Sequence, residues 1–258
     1  MKTNYHTHNL RCKHATGDVL DYVKMAIEEG YEEIGISDHM PHPGLGIDDK
    51  SRMFYDELSS YFSEIDSVKK IMEDKIKIKK GLECEYFEEL KWIYKELKEE
   101  YKVDYLILGA HFFKHKGNWV YVGWELDHSM LEEYINHVIK SMETGLFKYL
   151  AHPDLFFMIY KEWDEYSIKA SRRILEAAER LNMPLEININ GMKKAKVKCK
   201  DGERYPYPHK EFWKLSKEYK VKRIIGVDAH NPKDLKDYKE GLDFAKELGL
   251  EIIDRLEF

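Results

Sequence analysis

The stretch Tyr5-His6-Thr7-His8 places two histidines one residue apart near the start of the 258-residue chain. Residues 3–8 have the pattern of a β-strand. Alternate residues of a strand point to the same face, so His6 and His8 are predicted to lie side by side. Neutral imidazole is the commonest protein ligand for zinc-like metals. The pair alone is a weak signal, and it gains strength when other strands end in similar residues.

Five later strand patterns also end in a histidine or a carboxylate. Their ends read Ser37-Asp38-His39, Gly81-Leu82-Glu83, Gly109-Ala110-His111, Ala151-His152-Pro153-Asp154 and Val227-Asp228-Ala229-His230. Glu85 shares a strand face with Glu83 and is the alternative ligand there, although the position directly after Gly-Leu favours Glu83. Asp38 either orients a ligand imidazole or forms a turn. The isolated His209 is expected to face solvent or to cap a helix.

Strand and helix patterns alternate along the whole chain. Strands are predicted at residues 3–8, 33–37, 75–83, 103–109, 147–151, 184–189 and 223–227, with a small β excursion at 119–124 and a terminal fragment at 251–253. Helices are predicted at residues 19–29, 53–72, 88–100, 129–144, 164–181, 210–219 and 232–248. Such alternation indicates parallel strands joined by right-handed crossovers. We predict one α/β domain, residues 1–258, with a closed barrel.

Composition excludes several classes of function. A net charge of -6 argues against general affinity for nucleic acid or for anionic membranes. The sequence contains no apolar signal region and no run of about 18 apolar residues, so a cytoplasmic protein is expected. Cys12, Cys84 and Cys199 form no metal-type pair, and disulfides are not expected.

In a barrel of this kind, active residues lie at the C-terminal ends of the strands. Nine ligand-type residues would meet there: His6, His8, His14, His39, Glu83, His111, His152, Asp228 and His230. One catalytic zinc needs about three protein ligands, so nine suit two or three metals, with Glu83 able to bridge two of them. Mixed histidine and carboxylate ligation suits Zn, Mn or Fe. Closely spaced metals can share a hydroxide and clamp the oxygens of a phosphate.

These motifs together resemble the PHP (polymerase and histidinol phosphatase) superfamily, and they are most similar to its histidinol-phosphatase branch. The similarity to that branch rests on chain length and on Asp38-His39-Met40-Pro41, Gly81-Leu82-Glu83 and Glu186-Ile187-Asn188 followed by Gly191. The resemblance covers essentially the whole chain. It implies the PHP fold, a distorted (β/α)7 TIM-like barrel, with three divalent metal ions. The implied ligand sets are His6, His8, Glu83 and Asp228; Glu83, His111 and His152; and His14, His39 and His230.

The resemblance implies hydrolysis of a phosphate monoester at a trinuclear site, by attack of a metal-bridging hydroxide. The substrate implied is L-histidinol phosphate, cleaved to L-histidinol and phosphate in histidine biosynthesis. Glu83, Asp228 and His230 are the candidate catalytic residues, and no general acid is assigned. The partner is a small-molecule phosphate ester; neither nucleic acid nor a membrane is expected, and an oligomer is not indicated.

Candidate contacts to the phosphate are Arg11, Lys161 and Lys193. The resemblance implies arginines in the latter two loops, whereas lysine offers a point charge without the bidentate fork. Other readings therefore stay open. The chain could be another PHP phosphoesterase acting on a nucleotide, a sugar phosphate or a phosphotyrosine, or a non-catalytic metal-binding PHP domain. A two-metal amidohydrolase would want a carboxylated lysine at the fourth strand, where this chain has His111.

Overall fold

The computed structural model describes residues 1–47, 49–200 and 202–258. Asp48, in the predicted loop 40–49, and Asp201, in the predicted basic loop 191–208, lie outside the described residues. Contacts group the chain into two compact units: Met1–Ile107, Gly226–Tyr238 and Asp254–Phe258 form the first, and Leu108–Ile225 and Lys239–Ile253 form the second. A single domain over residues 1–258 stays a prediction.

Eleven strands occur in the part of the chain that the structure describes. They are β1 (Thr3–Asn4), β2 (Glu33–Ile36), β3 (Lys77–Cys84), β4 (Tyr105–Leu108), β5 (Phe112–His115), β6 (Asn118–Tyr121), β7 (Tyr149–Leu150), β8 (Leu185–Asn188), β9 (Val197–Cys199), β10 (Gly202–Arg204) and β11 (Arg223–Gly226). The large sheet has the strand order β1-β2-β3-β4-β7-β8-β11, while β5-β6 and β9-β10 are separate two-stranded sheets. Strand pairs β1–β2, β2–β3 and β7–β8 are parallel, as the alternating pattern predicts.

Seven α-helices lie between these strands over residues 1–47, 49–200 and 202–258. They are α1 (Val19–Glu28), α2 (Leu58–Ile71), α3 (Lys91–Glu99), α4 (His128–Met142), α5 (Glu165–Leu181), α6 (Lys210–Leu215) and α7 (Tyr238–Leu248). None of the described helices is long and apolar enough to cross a membrane. Each predicted helix is present, although several begin later or end earlier than predicted.

Side-chain caps set the beginnings of several helices. Asp18 caps α1 by accepting from Asp21 N–H, and the Asp21 side chain in turn accepts from Asp18 N–H. Asp164 accepts from the N–H groups of Tyr166 and Ser167 at the start of α5. These contacts satisfy backbone donors that have no partner within the helix. Each of these two aspartates stands just before an apolar helical run, so the observed starts of α1 and α5 lie within one residue of the predicted starts.

In the first unit, β1, β2 and β3 run side by side with Thr3 opposite Glu33 and Ile34 opposite Ile78. Every residue of β2 is buried, which is typical of a parallel strand covered on both faces. Beyond β1, Thr7 forms a parallel bridge with Ala229. The chain that follows the first strand therefore lies beside the chain that follows the last one.

In the second unit, β7 pairs with β8 through Leu150 and Leu185. The chain after β4 forms the hairpin β5–β6, which begins earlier than the predicted excursion at 119–124. The predicted basic loop 191–208 contains the hairpin β9–β10. The terminal strand fragment predicted at residues 251–253 is wrong, because this segment contributes a backbone hydrogen bond from Ile253 to Arg223 O but no strand.

Tyr105 of β4 fills the interior of the first unit across two glycines. Its hydroxyl donates to Tyr5 O at 2.7 Å. A Cβ atom at Gly35 would lie 2.0 Å from Tyr105 Oη, and one at Gly81 would lie 2.6 Å from the tyrosine ring. Atoms do not approach so closely, so β2 and β3 need glycine at these positions.

We expect Gly35→Ala to lower the free energy of unfolding by about 1–3 kcal/mol, because the new methyl group overpacks against Tyr105. The measurement is urea unfolding of Gly35→Ala in the wild-type background and in a Tyr105→Phe background. Since Tyr105→Phe removes the nearest atom, the cost of Gly35→Ala should be smaller there. Equal costs in the two backgrounds would contradict this packing argument.

Candidate metal centre

His6 and His8 lie just past β1 and are fixed by backbone pairing on both sides. His8 N–H donates to Ala229 O at 2.8 Å, and Ala229 N–H donates to His6 O at 3.2 Å. On the other side, Ser37 N–H donates to Thr7 O at 3.2 Å. Both histidine side chains are buried, with at most 1% of either exposed. The parallel neighbours thus hold the two imidazoles at one edge of the sheet.

Two carboxylates face these rings. Asp228 Oδ1 lies 3.5 Å from His6 Nε2 and 3.1 Å from His8 Nε2. Glu83 Oε2 lies 3.4 Å from His6 Nε2, 3.5 Å from His8 Nε2 and 3.0 Å from His39 Nδ1. One oxygen of Glu83 therefore faces three imidazole nitrogens, as a carboxylate shared between metal ions would.

A second group of histidines continues this cluster within the first unit. One donor atom from each of His8, His39 and His230 lies within 4.8 Å of the others. His14 Nε2 lies 3.0 Å from His230 Nε2, and the two rings have centroids 4.8 Å apart. The first unit thus brings together seven of the nine predicted ligands: His6, His8, His14, His39, Glu83, Asp228 and His230.

The backbone helps to orient two of these rings. Nδ1 of His14 lies 2.8 Å from Cys12 O, and Nδ1 of His230 lies 3.0 Å from Asp228 O. A carbonyl oxygen can only accept, so each contact places the proton on Nδ1 and leaves Nε2 with its lone pair. Metal-bound histidines are commonly oriented by such a contact.

Burial and neighbouring charges shift the pKa values in the cluster in opposite directions. Burial opposes protonation of His8, but contacts with Asp228 and Asp38 outweigh it and raise the pKa of His8 to about 9. Burial and the charge on His8 lower the pKa of His230 to about 4. Burial alone would raise the pKa of Asp228, yet His6 and His8 hold that pKa well below its usual range. Asp228 therefore stays ionised and favours positive charge on the imidazoles beside it.

The donor set fits a divalent metal ion. The donor atoms of His6, His8 and Asp228 lie within 4.8 Å of one another, and all three residues are buried. Imidazole nitrogen and carboxylate oxygen are ligands for Zn, Mn and Fe. Buried carboxylates need a compensating positive charge, and a metal ion among these atoms would supply it.

Strained backbone is concentrated at the predicted ligands. Asp228 has φ 50° and His152 has φ 29°, while Lys13 (φ 68°) and Ala110 (φ 49°) directly precede His14 and His111. Residues other than glycine seldom adopt positive φ, and each instance costs about 1–3 kcal/mol. Four of the seven non-glycine residues with positive φ in the described part of the chain therefore lie at or directly before predicted ligands.

In the second unit, His111 and His152 lie together, with ring centroids 4.9 Å apart. His152 N–H donates to Glu186 Oε2 at 3.1 Å, and Asn188 Nδ2 donates to the same oxygen at 2.8 Å. His152 and Glu186 are buried, and His111 is half-buried. The Glu186-Ile187-Asn188 strand thus supports the chain that carries His152.

Two side chains beside the cluster had a weak or ambiguous signal in the sequence. Asp38 Oδ1 lies 3.3 Å from His8 Nδ1 and accepts from His39 N–H at 2.8 Å, so it is placed to orient a ligand ring. Donor atoms of His8, Cys12 and Asp38 form a further group within 4.8 Å. Cys12 stands two residues before His14, and this spacing is the sequence signal for the place of Cys12 beside the cluster.

Glu85, the alternative to Glu83, belongs to a different buried network in the first unit. Its Oε2 lies 2.7 Å from His42 Nε2 and 3.3 Å from Arg52 Nη1. Arg52 also donates to Met40 O at 2.9 Å and is only 2% exposed. The network ties the loop after β2, which follows His39, to the end of β3. Nothing in the sequence singled out Arg52, since a lone arginine in a polar loop carries no pattern.

The predicted phosphate contacts have different surroundings. Arg11 donates to Glu64 Oε2 at 2.8 Å and to Ser60 Oγ at 2.9 Å, so its guanidinium is engaged. Lys161 and Lys193 are exposed in the second unit. An arginine does occur in the loop after β8, at Arg204, but it donates to backbone carbonyls. Lysines dominate the sequence of that loop, so no pattern distinguishes Arg204.

His209 differs from the prediction that it faces solvent or caps a helix. It is the residue before α6, but its side chain makes no capping hydrogen bond. The ring is 5% exposed and stacks on Phe157 with centroids 3.9 Å apart. Packing of the second unit against this ring overrides the usual preference of histidine for the surface.

Comparison with known proteins finds a family model and named relatives that agree with one another. The family model for the PHP domain matches residues 4–190. A protein of Deinococcus radiodurans named "Probable histidinol-phosphatase" is 25% identical over 237 residues, which are 88% of this chain and 85% of that protein. A protein of Schizosaccharomyces pombe with the same name is 22% identical over 262 residues, which are 90% of this chain and 81% of that protein.

A crystal structure of histidinol phosphate phosphatase from Lactococcus lactis is similar over 100% of this chain and 99% of its own, with a TM-score of 0.73 and 19% identity. That protein is complexed with zinc, L-histidinol and phosphate. The likeness confirms the predicted α/β PHP fold.

The Arg52 network makes a prediction about stability. We expect Arg52→Met to lower the free energy of unfolding by about 3–5 kcal/mol, because it leaves the Glu85 carboxylate buried without its cation. The measurement is denaturant unfolding, with Arg180→Met as the control, since Arg180 forms an exposed pair with Glu143. Adding Glu85→Leu to Arg52→Met should recover part of the loss. A small effect of Arg52→Met alone would contradict the network's role.

Proposed function

The chain belongs to the PHP domain family, and we propose on this basis that it is a metal-dependent phosphatase that hydrolyses L-histidinol phosphate to L-histidinol and phosphate. The observation that carries the proposal is the buried cluster in the first unit, where Glu83 Oε2 faces three imidazole nitrogens. The relatives named histidinol-phosphatase, each matched over most of its length, support the choice of substrate. The zinc, L-histidinol and phosphate in the Lactococcus lactis protein support it further.

We propose three divalent metal ions, of zinc, manganese or iron. The first would be held by His6, His8, Glu83 and Asp228; the third would be held by His14, His39 and His230. His111 and His152 of the second unit are the further proposed ligands. When bound, such ions supply Lewis-acid chemistry and lower the pKa of water.

The chain's own residues have distinct roles in this proposal. The side chains of Glu83 and Asp228 would bring negative charge that balances the ions, so that the cluster tolerates several cations at close range. Asp228 has a pKa well below its usual range, owing to His6 and His8 acting against burial, and it is therefore not a proton donor at neutral pH. His230, with its pKa lowered to about 4 by burial and by His8, is a neutral ligand.

Lys161 and Lys193 are the proposed contacts for the phosphate, because both are exposed side chains on loops that follow β7 and β8. Arg11 would have to leave Glu64 to take part. Lysines stand in the two loops where the family resemblance implies arginines. Hydrolysis of another phosphate monoester at the same cluster is therefore the second candidate function. A non-catalytic domain is disfavoured, because the candidate ligand set is complete.

The first test is release of phosphate by the purified protein after reconstitution with zinc, manganese or iron. L-histidinol phosphate is compared with a panel of nucleotides, sugar phosphates and phosphotyrosine. We expect the value of kcat/KM for L-histidinol phosphate to exceed that for each other ester. If the protein prefers another ester, that ester replaces L-histidinol phosphate as the proposed substrate, and the proposal of a phosphatase stands. The absence of phosphate release from every ester, by protein that retains metal, would refute the phosphatase.

A second test concerns Glu83. We expect Glu83→Gln to lower kcat by at least about 10²-fold and to reduce bound metal, because even residues that only orient metal ligands contribute 10–100-fold. Metal content is measured by elemental analysis after dialysis, beside phosphatase rates. The control is Glu89→Gln, an exposed acid shortly after β3. Normal metal content and normal rates in Glu83→Gln would rule out the shared-ligand role.

A further inference from the structure

His14 has less support than the other ligands of the first unit. It is exposed, whereas His6, His8 and His39 are at most 8% exposed. It stands on a loop before α1, the His14 loop (residues 10–18), and not at the end of a strand. The position of its imidazole therefore depends on the contacts that hold this loop in place.

Backbone hydrogen bonds hold the inner side of the His14 loop. Leu10 N–H donates to Gly17 O at 3.0 Å and closes the loop at its base, and Thr16 N–H donates to His230 O at 2.9 Å. The side chain of Asn231 adds a hydrogen bond from Nδ2 to Thr16 Oγ1 at 2.8 Å. These contacts fix the base and the second half of the loop beside the cluster.

A single carboxylate on α2 contacts the chain on both sides of His14. Glu64 Oε2 accepts from Arg11 Nη2 at 2.8 Å, and Glu64 Oε1 accepts from Val19 N–H at 3.2 Å. Val19 is the first residue of α1, so its N–H has no partner within the helix, and negative charge is favourable at this end of a helix. Glu64 thus holds the chain three residues before His14 and five residues after it.

Arg11 and Lys13 have further partners on or near α2. Arg11 Nη1 donates to Ser60 Oγ at 2.9 Å, so both terminal nitrogens of the guanidinium contact this helix. The side chains of Arg11 and Glu64 are 18% and 29% exposed, so their attraction is screened less than that of a fully exposed pair. Lys13 Nζ lies 3.4 Å from the centre of the Phe54 ring, shortly before α2 begins. A phosphate would have to displace both partners of Arg11 to bind its guanidinium.

We propose that Glu64 and Arg11 are positioning residues: they form a clamp that holds the His14 loop and so sets the place of the His14 imidazole in the metal cluster. Arg11 acts through Glu64 and makes no contact with the phosphate. This inference rests on the proposed metal centre, of which His14 is one ligand. Side chains that orient metal ligands typically contribute about 10–100-fold to metal affinity, although they touch no metal ion themselves.

The two roles open to Arg11 predict opposite effects of Glu64→Gln. If Arg11 contacted the phosphate, this substitution would release the guanidinium, so inorganic phosphate would bind the metal-loaded chain more tightly while metal affinity stayed the same. If Arg11 belongs to the clamp, the same substitution loosens the His14 loop. Metal affinity then falls, and the binding of inorganic phosphate does not tighten.

The first measurement is the zinc affinity of the full chain, by competition with a chelator and without substrate. We expect Glu64→Gln and Arg11→Met each to weaken the binding of one ion by about tenfold or more. The double variant should bind little more weakly than either single variant, because the two residues act as one clamp. His14→Ala shows which ion is concerned, since it removes the ligand itself. Unchanged zinc affinity in Glu64→Gln, or tighter binding of inorganic phosphate, would overturn the proposal.

Hydrogen exchange measures the clamp itself. With metal ions bound in every variant, the amides of the His14 loop should exchange faster in Glu64→Gln and Arg11→Met than in the wild type. The matched controls are Glu99→Gln on α3 and Arg180→Met on α5, which alter exposed ion pairs on other helices. Exchange at the wild-type rate in both clamp variants would overturn the proposal. Neither measurement needs phosphate release, so failure of the clamp is distinguishable from failure of the phosphatase.

Discussion

Buried negative charge is the constraint on which the first unit depends. Glu83 and Asp228 are 1% and 6% exposed, and they lie among imidazoles. Removing carboxylates from water is costly unless positive charge accompanies them. The parallel strands bring the imidazoles and the carboxylates together, because their carboxyl ends place His6, His8 and Glu83 at one edge of the sheet. Gly35 and Gly81 leave room for Tyr105 in the interior of the first unit, and β2 and β3, which carry these glycines, lead to that edge.

The periodic parts of the fold and of the site could be predicted from sequence. Spacing of two residues placed His6 and His8 on one face, and the Gly-Leu context favoured Glu83, which faces His39, over Glu85, which pairs with Arg52. Backbone alternation and strand spacing are local properties, so a single chain records them. Strand ends and the first loop indicated nine ligand-type residues, of which seven lie together in the first unit, and the PHP resemblance added their division into three metal sites.

Features that depend on tertiary contacts were less predictable. Helix α2 begins at Leu58 rather than Met53, and α7 begins at Tyr238 rather than Pro232, because 3-10 turns precede both. The hairpin β9–β10 has the composition of a solvated lysine loop, so nothing local indicated its pairing. Arg204 and His209 acquire their roles from carbonyls and aromatic rings distant in sequence. Propensity cannot foresee such partners.

The bridge between Thr7 and Ala229 has a consequence for the order of assembly. The first two histidines of the cluster emerge from the ribosome more than 200 residues before the segment that flanks them on one side. Closing so long a loop makes this contact intrinsically late in folding. During synthesis, a nascent chain that already carries His6 and His8 has neither Asp228 nor His230. The candidate ligand cluster is complete only after the last strand is made, so a metal ion held by all of its members would bind only when the protein is almost finished.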